Sequence, residues 1–192
     1  MFATRIINYI KHRLYYICNR HRFAHLAPTA SIKKALRIDG KKNISIEKGV
    51  IIQQLTWLAA VPLTGARKCH LSIGEGTIIG NFNHIYATGE ITIGKSVLTA
   101  DKVYIADNQH GYEDALVPVL SQPIKQLSPM TIGDGTWLGE NVCVLGASIG
   151  KNCVIGANSV VTRDIPDFCV AVGAPAKVIK KYNSITKQWQ KI

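Results

Sequence analysis

Aliphatic residues recur at every sixth position over long stretches of this chain, each followed closely by glycine or another small residue. Ile132, Leu138 and Val144 form one register, and Ile149, Ile155 and Val161 form a second after a step of five. The same spacing appears upstream at Ile73, Ile79, Ile85 and Ile91, with Gly74, Gly80 and Gly94 beside aliphatic residues and a weaker echo at Ile44 and Val50. A helix requires apolar positions three to four apart and an ordinary strand two apart, whereas a six-residue period suits short parallel strands, one per flat side of a coil. The pattern therefore predicts an all-β fold, a parallel β-helix. One coil cannot bury its aliphatic face alone, so the repeats must stack into a continuous core. This period specifies a frame and says nothing of chemistry.

The period is interrupted once on a large scale. Between Ile105 and Met130 the segment ADNQHGYEDALVPVLSQPIKQLSPM carries Pro118, Pro123 and Pro129 and opens with polar residues, which predicts a loop extruded from the coil over 107–130. At the start, Phe2, Ile6, Ile10, Leu14 and Ile17 recur at nearly helical spacing, with Arg5, Lys11 and Arg22 off the stripe and Arg13 and Arg20 at its margin. The expected organisation is a basic N-terminal segment over 1–42, a β-helix over 43–176 and a basic C-terminal tail over 177–192, with short helical termini.

With 192 residues, 47% hydrophobic and 18% charged, the chain has the size and composition of one soluble domain with a core. The most apolar window, Ile51 to Leu63, is broken by Gln53, Gln54, Thr56 and Pro62. No run is long enough to span a bilayer, and the start lacks a signal-peptide pattern. A cytoplasmic protein is expected. Cys18, Cys69, Cys143, Cys153 and Cys169 are scattered and odd in number, with no CxxC spacing. They read as small apolar residues in a reducing compartment; neither a disulfide framework nor a metal site is expected.

Charge is concentrated at the ends. Residues 1–42 hold ten of the 23 Lys and Arg and a single acid, Asp39; after Asp167 come five lysines and no acid. For the N-terminal segment the first reading is a cap whose apolar side covers the open end of the coil. The second is peripheral attachment to an anionic membrane surface at the inner face of the membrane. Nucleic-acid binding ranks last, since no reader motif or aromatic stacking platform accompanies the charge.

Chemistry on rigid scaffolds tends to sit in loops. His110 lies at the root of the extruded loop, with Asp107 before it and Glu113 and Asp114 after it. A neutral imidazole there can take a proton near physiological pH.

The long hexapeptide blocks, a loop opening with DNQHGYED, the run IGDGTWLGENV and the ending IGANSVVTRDIPDFCVAVGAPAKVIKK together resemble the left-handed parallel β-helix acyltransferases that use acetyl-CoA. The resemblance is strong over about residues 70–182, and is greatest to the O-acetyltransferases of bacterial capsule, exopolysaccharide and lipopolysaccharide sugars. It implies acetyl-CoA as acyl donor, a carbohydrate acceptor, no metal, and His110 as the general base for an attacking hydroxyl. It also places Trp137 and Ala157 along the pantetheine arm, Thr162 and Arg163 near the adenine and 3′-phosphate, Pro175 at the groove, and Lys177 and Lys180 on CoA phosphates. Asn83, His84 and Asp107 fall where the family builds its acceptor pocket. Trimerisation is implied as well, with the base and the CoA contacts contributed by adjacent subunits. N-acetylation of an amino sugar and a non-catalytic scaffold stand as alternatives. A zinc hydratase on the same frame would need three converging histidines, for which His84 and His110 lack a close partner pair.

Three positions depart from the family pattern. Leu145-Gly146-Ala147 replaces a common Pro-Gly turn and is one residue shorter. Glu140 stands where a small residue is usual, so its carboxylate either orients the acceptor or pairs with a lysine. Asn108-Gln109-His110 replaces the more frequent HxHG or His-Pro.

Overall fold

The computed structural model describes residue 10 and residues 13–192. Three parallel sheets form the sides of a left-handed triangular coil. The first face runs through strands His25–Leu26, Ile44–Ile46, His70–Ile73, Glu90–Ile93 and Met130–Ile132, and is continued by bridges from Ile132 to Ile149 and Ile149 to Ile165. The second begins with Ser31–Ile32 and passes through Ile51–Ile52, Ile78–Ile79, Leu98–Thr99, Trp137–Leu138 and Val154–Ile155 to Cys169–Val172. The third comprises Arg37–Asp39, Trp57–Ala60, His84–Ala87, Tyr104–Ala106, Cys143–Leu145 and Val160–Val161.

Stacking turns the six-residue period into vertical columns. On the first face Leu26, Ile46, Ile73, Ile93, Ile132, Ile149 and Ile165 stand in register. On the third face Ile38, Leu58, Ile85, Ile105, Val144 and Val161 do the same. Ile73, Ile79, Ile85, Ile91, Ile105 and Ile155 are fully buried, so the columns together make the core. At the corners the backbone turns through the left-handed region, at Gly76 and Gly135 but also at Leu55, Phe82, Asn141 and Asn158. Glycine and asparagine tolerate that conformation, whereas the glycines directly after aliphatic positions answer to close stacking: a Cβ on Gly74 would lie 2.6 Å from the Gly94 backbone, and one on Gly80 2.2 Å from the Ala100 carbonyl oxygen.

Two boundaries differ from those read in the sequence, and so does the side of the N-terminal helix that packs. The coil already begins at His25, and Phe23, Leu26, Ala27, Ala30 and Ile32 join its core, so much of the basic segment is part of the β-helix. The C-terminal residues are neither a tail nor helical: Lys177–Asn183 and Gln188–Lys191 form an antiparallel hairpin that extends the second face. Tyr182 and Trp189 pair edge to face across it at 5.4 Å, an apolar contact that the density of lysines conceals in the sequence. The N-terminal stripe falls partly outside the described residues, Phe2, Ile6, Arg5 and Lys11 among them. Residues 13–19 are helical, and there Tyr15 and Tyr16 pack on the core while Leu14 and Ile17 are exposed. The aliphatic side is thus not the one that covers the coil.

Candidate functional site

The extruded loop leaves the third face after Ala106. Its two limbs, Asn108–His110 and Ile124–Gln126, pair antiparallel, setting His110 opposite Ile124. His110 is exposed at the far end of this short ribbon, where the Gly111 N–H donates to the Pro123 carbonyl at 2.9 Å. Glu113 and Lys125 form an ion pair farther out, and that contact holds the Glu113 carboxyl below its ordinary range.

The root of the loop is fixed by buried polar contacts. Asp107 is completely buried, and its carboxylate accepts from the Thr88 N–H at 2.8 Å, the Gly89 N–H at 2.7 Å, the Thr88 hydroxyl at 3.2 Å and Asn108 Nδ2 at 3.2 Å. A carboxylate so fully engaged has no capacity left for an acceptor, so Asp107 positions the loop rather than contacting substrate. Gln126 closes the other limb. Its amide donates to the Asp107 carbonyl at 2.8 Å, and its Oε1 accepts from the Thr88 and Thr64 hydroxyls at 2.9 and 2.5 Å. Asn108 Nδ2 reaches the Tyr86 carbonyl at 3.0 Å, tying the ribbon to the third face.

A groove of about 640 Å³ opens beside this root, lined by Gln109, Gln126, Leu127, Ser128, Leu145, Gly146 and Thr162. It follows the corner between the third and first faces. Gly146 has φ +57° at that corner, and Leu127 lies 2.8 Å from where its Cβ would stand, so the shortened turn seats the returning limb of the loop. Of the residues expected to meet the acyl donor, Thr162 lies in this groove and Arg163 follows it, exposed, on the same corner.

The remaining donor residues lie elsewhere on the prism. Trp137 is 47% exposed on the second face, in a register column that continues through Val154 and Val170 to Lys180. Strands lie roughly 4.8 Å apart, so this column runs about 14 Å from the indole to Lys180. Pro175 and Lys177 are exposed at the turn and first position of the hairpin on that face, and Ala157 is exposed at the corner between the second and third faces. In a triangular coil the corner bearing the groove points away from the second face. Trp137 and Lys180 thus lie on a different side of the prism from Thr162 and the root of the His110 ribbon.

Asn83 and His84 fall on the third face, inward and outward respectively. Asn83 is buried, its amide donating to the Ala100 carbonyl at 2.8 Å, so it braces successive coils. His84 stacks on Trp57 with ring centroids 4.1 Å apart and planes within 7°, and tilts against Tyr86 and Tyr104. Burial holds its imidazole below the ordinary histidine pKa, which favours the neutral ring in this stack. Trp57, His84, Tyr86 and Tyr104 make an aromatic patch that leads towards Asn108 and the loop root. Sequence reasoning missed Trp57, Tyr86, Tyr104 and Gln126; their only signal is the sheet register.

Glu140 pairs with Lys102 at 3.3 Å, the second of its two expected roles. None of the buried thiols is a ready nucleophile. Burial, and then the nearby Asp107 carboxylate, push Cys69 up to about 11, and burial also raises Cys143, Cys153 and Cys169.

Comparison with known proteins follows the same lines. Residues 129–163 match the family model described as the hexapeptide repeat of succinyl-transferase. WbbJ of Escherichia coli (strain K12), named for O-acetyl transfer in lipopolysaccharide biosynthesis, is 44% identical over 120 residues, covering 59% of this chain and 61% of that protein. Galactoside O-acetyltransferase of the same organism is 36% identical over 127 residues, covering 62% and 61%. The chain thus spans less than two thirds of the length of these curated relatives. Among solved structures, AntD, an N-acyltransferase from Bacillus cereus in complex with dTDP and 3-hydroxybutyryl-CoA, superposes with a TM-score of 0.72 at 19% identity over 90% of each chain, a likeness of fold.

Proposed function

We propose that this chain is an acetyl-CoA-dependent O-acetyltransferase acting on a hydroxyl of a sugar in a bacterial surface polysaccharide or its precursor, in the cytoplasm where acetyl-CoA is available. The observation that carries the reading is the loop root: a buried latch of Asp107, Thr88, Gly89 and Gln126 fixes the short ribbon that ends in His110, and the residue before it, Gln109, lines an open groove. A latch of this kind orders a histidine that would otherwise ride on a free loop. The relatives named for sugar O-acetyl transfer support the reaction class.

In the proposed reaction His110 takes the proton of the acceptor hydroxyl as its oxygen attacks the thioester carbonyl. The tetrahedral adduct collapses with cleavage of the carbon–sulfur bond, and the imidazolium returns its proton to the departing thiolate. Backbone N–H groups stabilise the oxyanion. No acyl-enzyme forms, in keeping with thiols held protonated by burial. The aromatic patch of Trp57, His84, Tyr86 and Tyr104 suits the apolar face of a sugar ring. The second-face column from Trp137 to Lys180, with Lys177, supplies the pantetheine and phosphate contacts, and it does so from a neighbouring copy in a homotrimer.

The test is acceptor-dependent release of CoA thiol from acetyl-CoA, measured with a thiol reagent over a panel of oligosaccharides. His110→Ala is expected to lower turnover by at least about a hundredfold, the usual contribution of a general base, while acetyl-CoA still protects the variant against thermal unfolding. Undiminished release in His110→Ala would remove the histidine as base.

A further inference from the structure

The N-terminal end of the prism bears a surface that acetyl transfer does not use. Residues 13–19 are helical, and successive side chains turn by roughly 100°. Tyr15 and Tyr16, which pack on the core, therefore point away from the side carrying Leu14 and Ile17. Leu14 and Ile17 are 55% and 54% exposed, and Ile10 is 50% exposed. The helix docks through its tyrosines and turns its aliphatic residues outward.

Cations gather where the helix meets the coil, beside its tyrosines and flanking this stripe. The guanidinium groups of Arg13 and Arg20 lie 5.8 and 5.9 Å from the Tyr16 ring centre. A groove of about 870 Å³ adjoins the helix at Tyr15 and is lined by Lys33, Lys34, Arg37 and Lys41, with Leu36 exposed within it. Asp39, the single acid of the first 42 residues, is engaged by Arg37 at 2.6 Å and by the Trp57 indole at 2.9 Å. Burial, and then the Arg22 guanidinium, hold the Lys41 ammonium below its ordinary pKa.

We propose that this end docks on an anionic phospholipid bilayer, with the helix lying in the interface, Leu14 and Ile17 among the acyl chains, and Arg13, Arg20, Lys33 and Lys34 over the lipid phosphates. Charge selects this occupant. A second copy would bring two strongly cationic ends face to face around a narrow apolar stripe, an arrangement that like-charge repulsion opposes. A nucleic acid would satisfy the cations but leave the aliphatic residues in water. Combined apolar and cationic contact is what a peripheral lipid surface offers. The proposal stands apart from the acetyl-transfer reading, since its readout requires no acceptor.

The experiment is sedimentation of the full chain with phosphatidylcholine vesicles and with vesicles that also contain phosphatidylglycerol. Binding is expected to the anionic vesicles and to fade with added salt. Leu14→Asp combined with Ile17→Asp, and separately Lys33→Glu combined with Lys34→Glu, are each expected to weaken binding roughly tenfold or more, with circular dichroism and acetyl-CoA protection unchanged. Equal binding to both vesicle types, or none, overturns the proposal. So does self-association in the absence of lipid that Leu14→Asp with Ile17→Asp abolishes, or retention on an RNA oligonucleotide that those apolar substitutions leave intact.

Discussion

His110 is legible in the sequence because a histidine in a break of a regular repeat is conspicuous, but the residues that aim it are not. Gln126 sits among ordinary loop residues, and only the fold brings its amide to Asp107, Thr64 and Thr88. Gly89 is equally inconspicuous, yet a Cβ there would meet Gln126 Nε2 at 2.8 Å and Asp107 Oδ2 at 3.2 Å. Gly89→Ala should therefore loosen the latch and lower kcat/KM about tenfold, the scale of one or two buried polar contacts, with faster proteolysis inside residues 107–130 as the structural readout. Undiminished kcat/KM with an intact loop would show that the latch does not position the base. The acceptor-pocket reading of Asp107 changed for the same reason: its neighbours in space fill its lone pairs. Cys69 leads to a pH prediction. Its folded-state pKa of about 11 lies above the usual thiol value, so its burial stabilises the fold fully below the unfolded pKa and that contribution is lost as pH rises towards 11. Cys69→Ala should accordingly show a smaller fall in Tm between pH 8 and pH 11 than the parent chain; an identical fall would mean the thiol does not ionise with unfolding.

Strands were legible wherever the core column is aliphatic, since a six-residue period survives any corner sequence that keeps the spacing. Where a corner lengthens, the register moves. Ile93 stacks over Ile73, and Ile91 stacks over Leu71, so both isoleucines of that strand point inward although the strict period selects Ile91 alone. The hairpin at Lys177–Asn183 and Gln188–Lys191 was hidden because its strands are exposed and carry lysines where a buried strand would show alternation. Corners offer a test at this scale. Leu55 turns one of them at φ +56° with its side chain partly exposed, a conformation that costs a branched residue about 1 kcal/mol or more and that asparagine accepts. Leu55→Asn should raise Tm by a few degrees with the repeat intact by circular dichroism. An unchanged or lower Tm would show that Leu55 contributes packing that outweighs the strain.

At the scale of the whole molecule the acetyl-transfer proposal divides its site across the prism. Thr162 and the root of the ribbon that carries His110 belong to the corner between the third and first faces, whereas Trp137, Val154, Val170 and Lys180 run along the second face, and the corner of a triangle points away from the opposite side. The six-residue period allots successive strands to successive faces, and the family resemblance already implied a base and CoA contacts from adjacent subunits; the extruded loop and the C-terminal hairpin are what the period alone does not place. Threading one acyl donor past both sets requires two copies, the groove of one against the second face of the next. Each interface of a trimer would then hold a complete site made of two incomplete halves. This arrangement predicts complementation. His110→Ala and Trp137→Ala combined with Lys180→Ala should each be nearly inactive alone. Dissociated and reassembled together, they should regain a substantial fraction of parental activity, because some interfaces pair the intact His110 of one variant with the intact Trp137 and Lys180 of the other. Mixing without exchange of subunits should restore nothing. If co-assembled variants remain as inactive as either parent while size and fold are unchanged, the donor and the base are supplied by one chain, and the assignment of Trp137 and Lys180 to the acyl donor falls with the shared site.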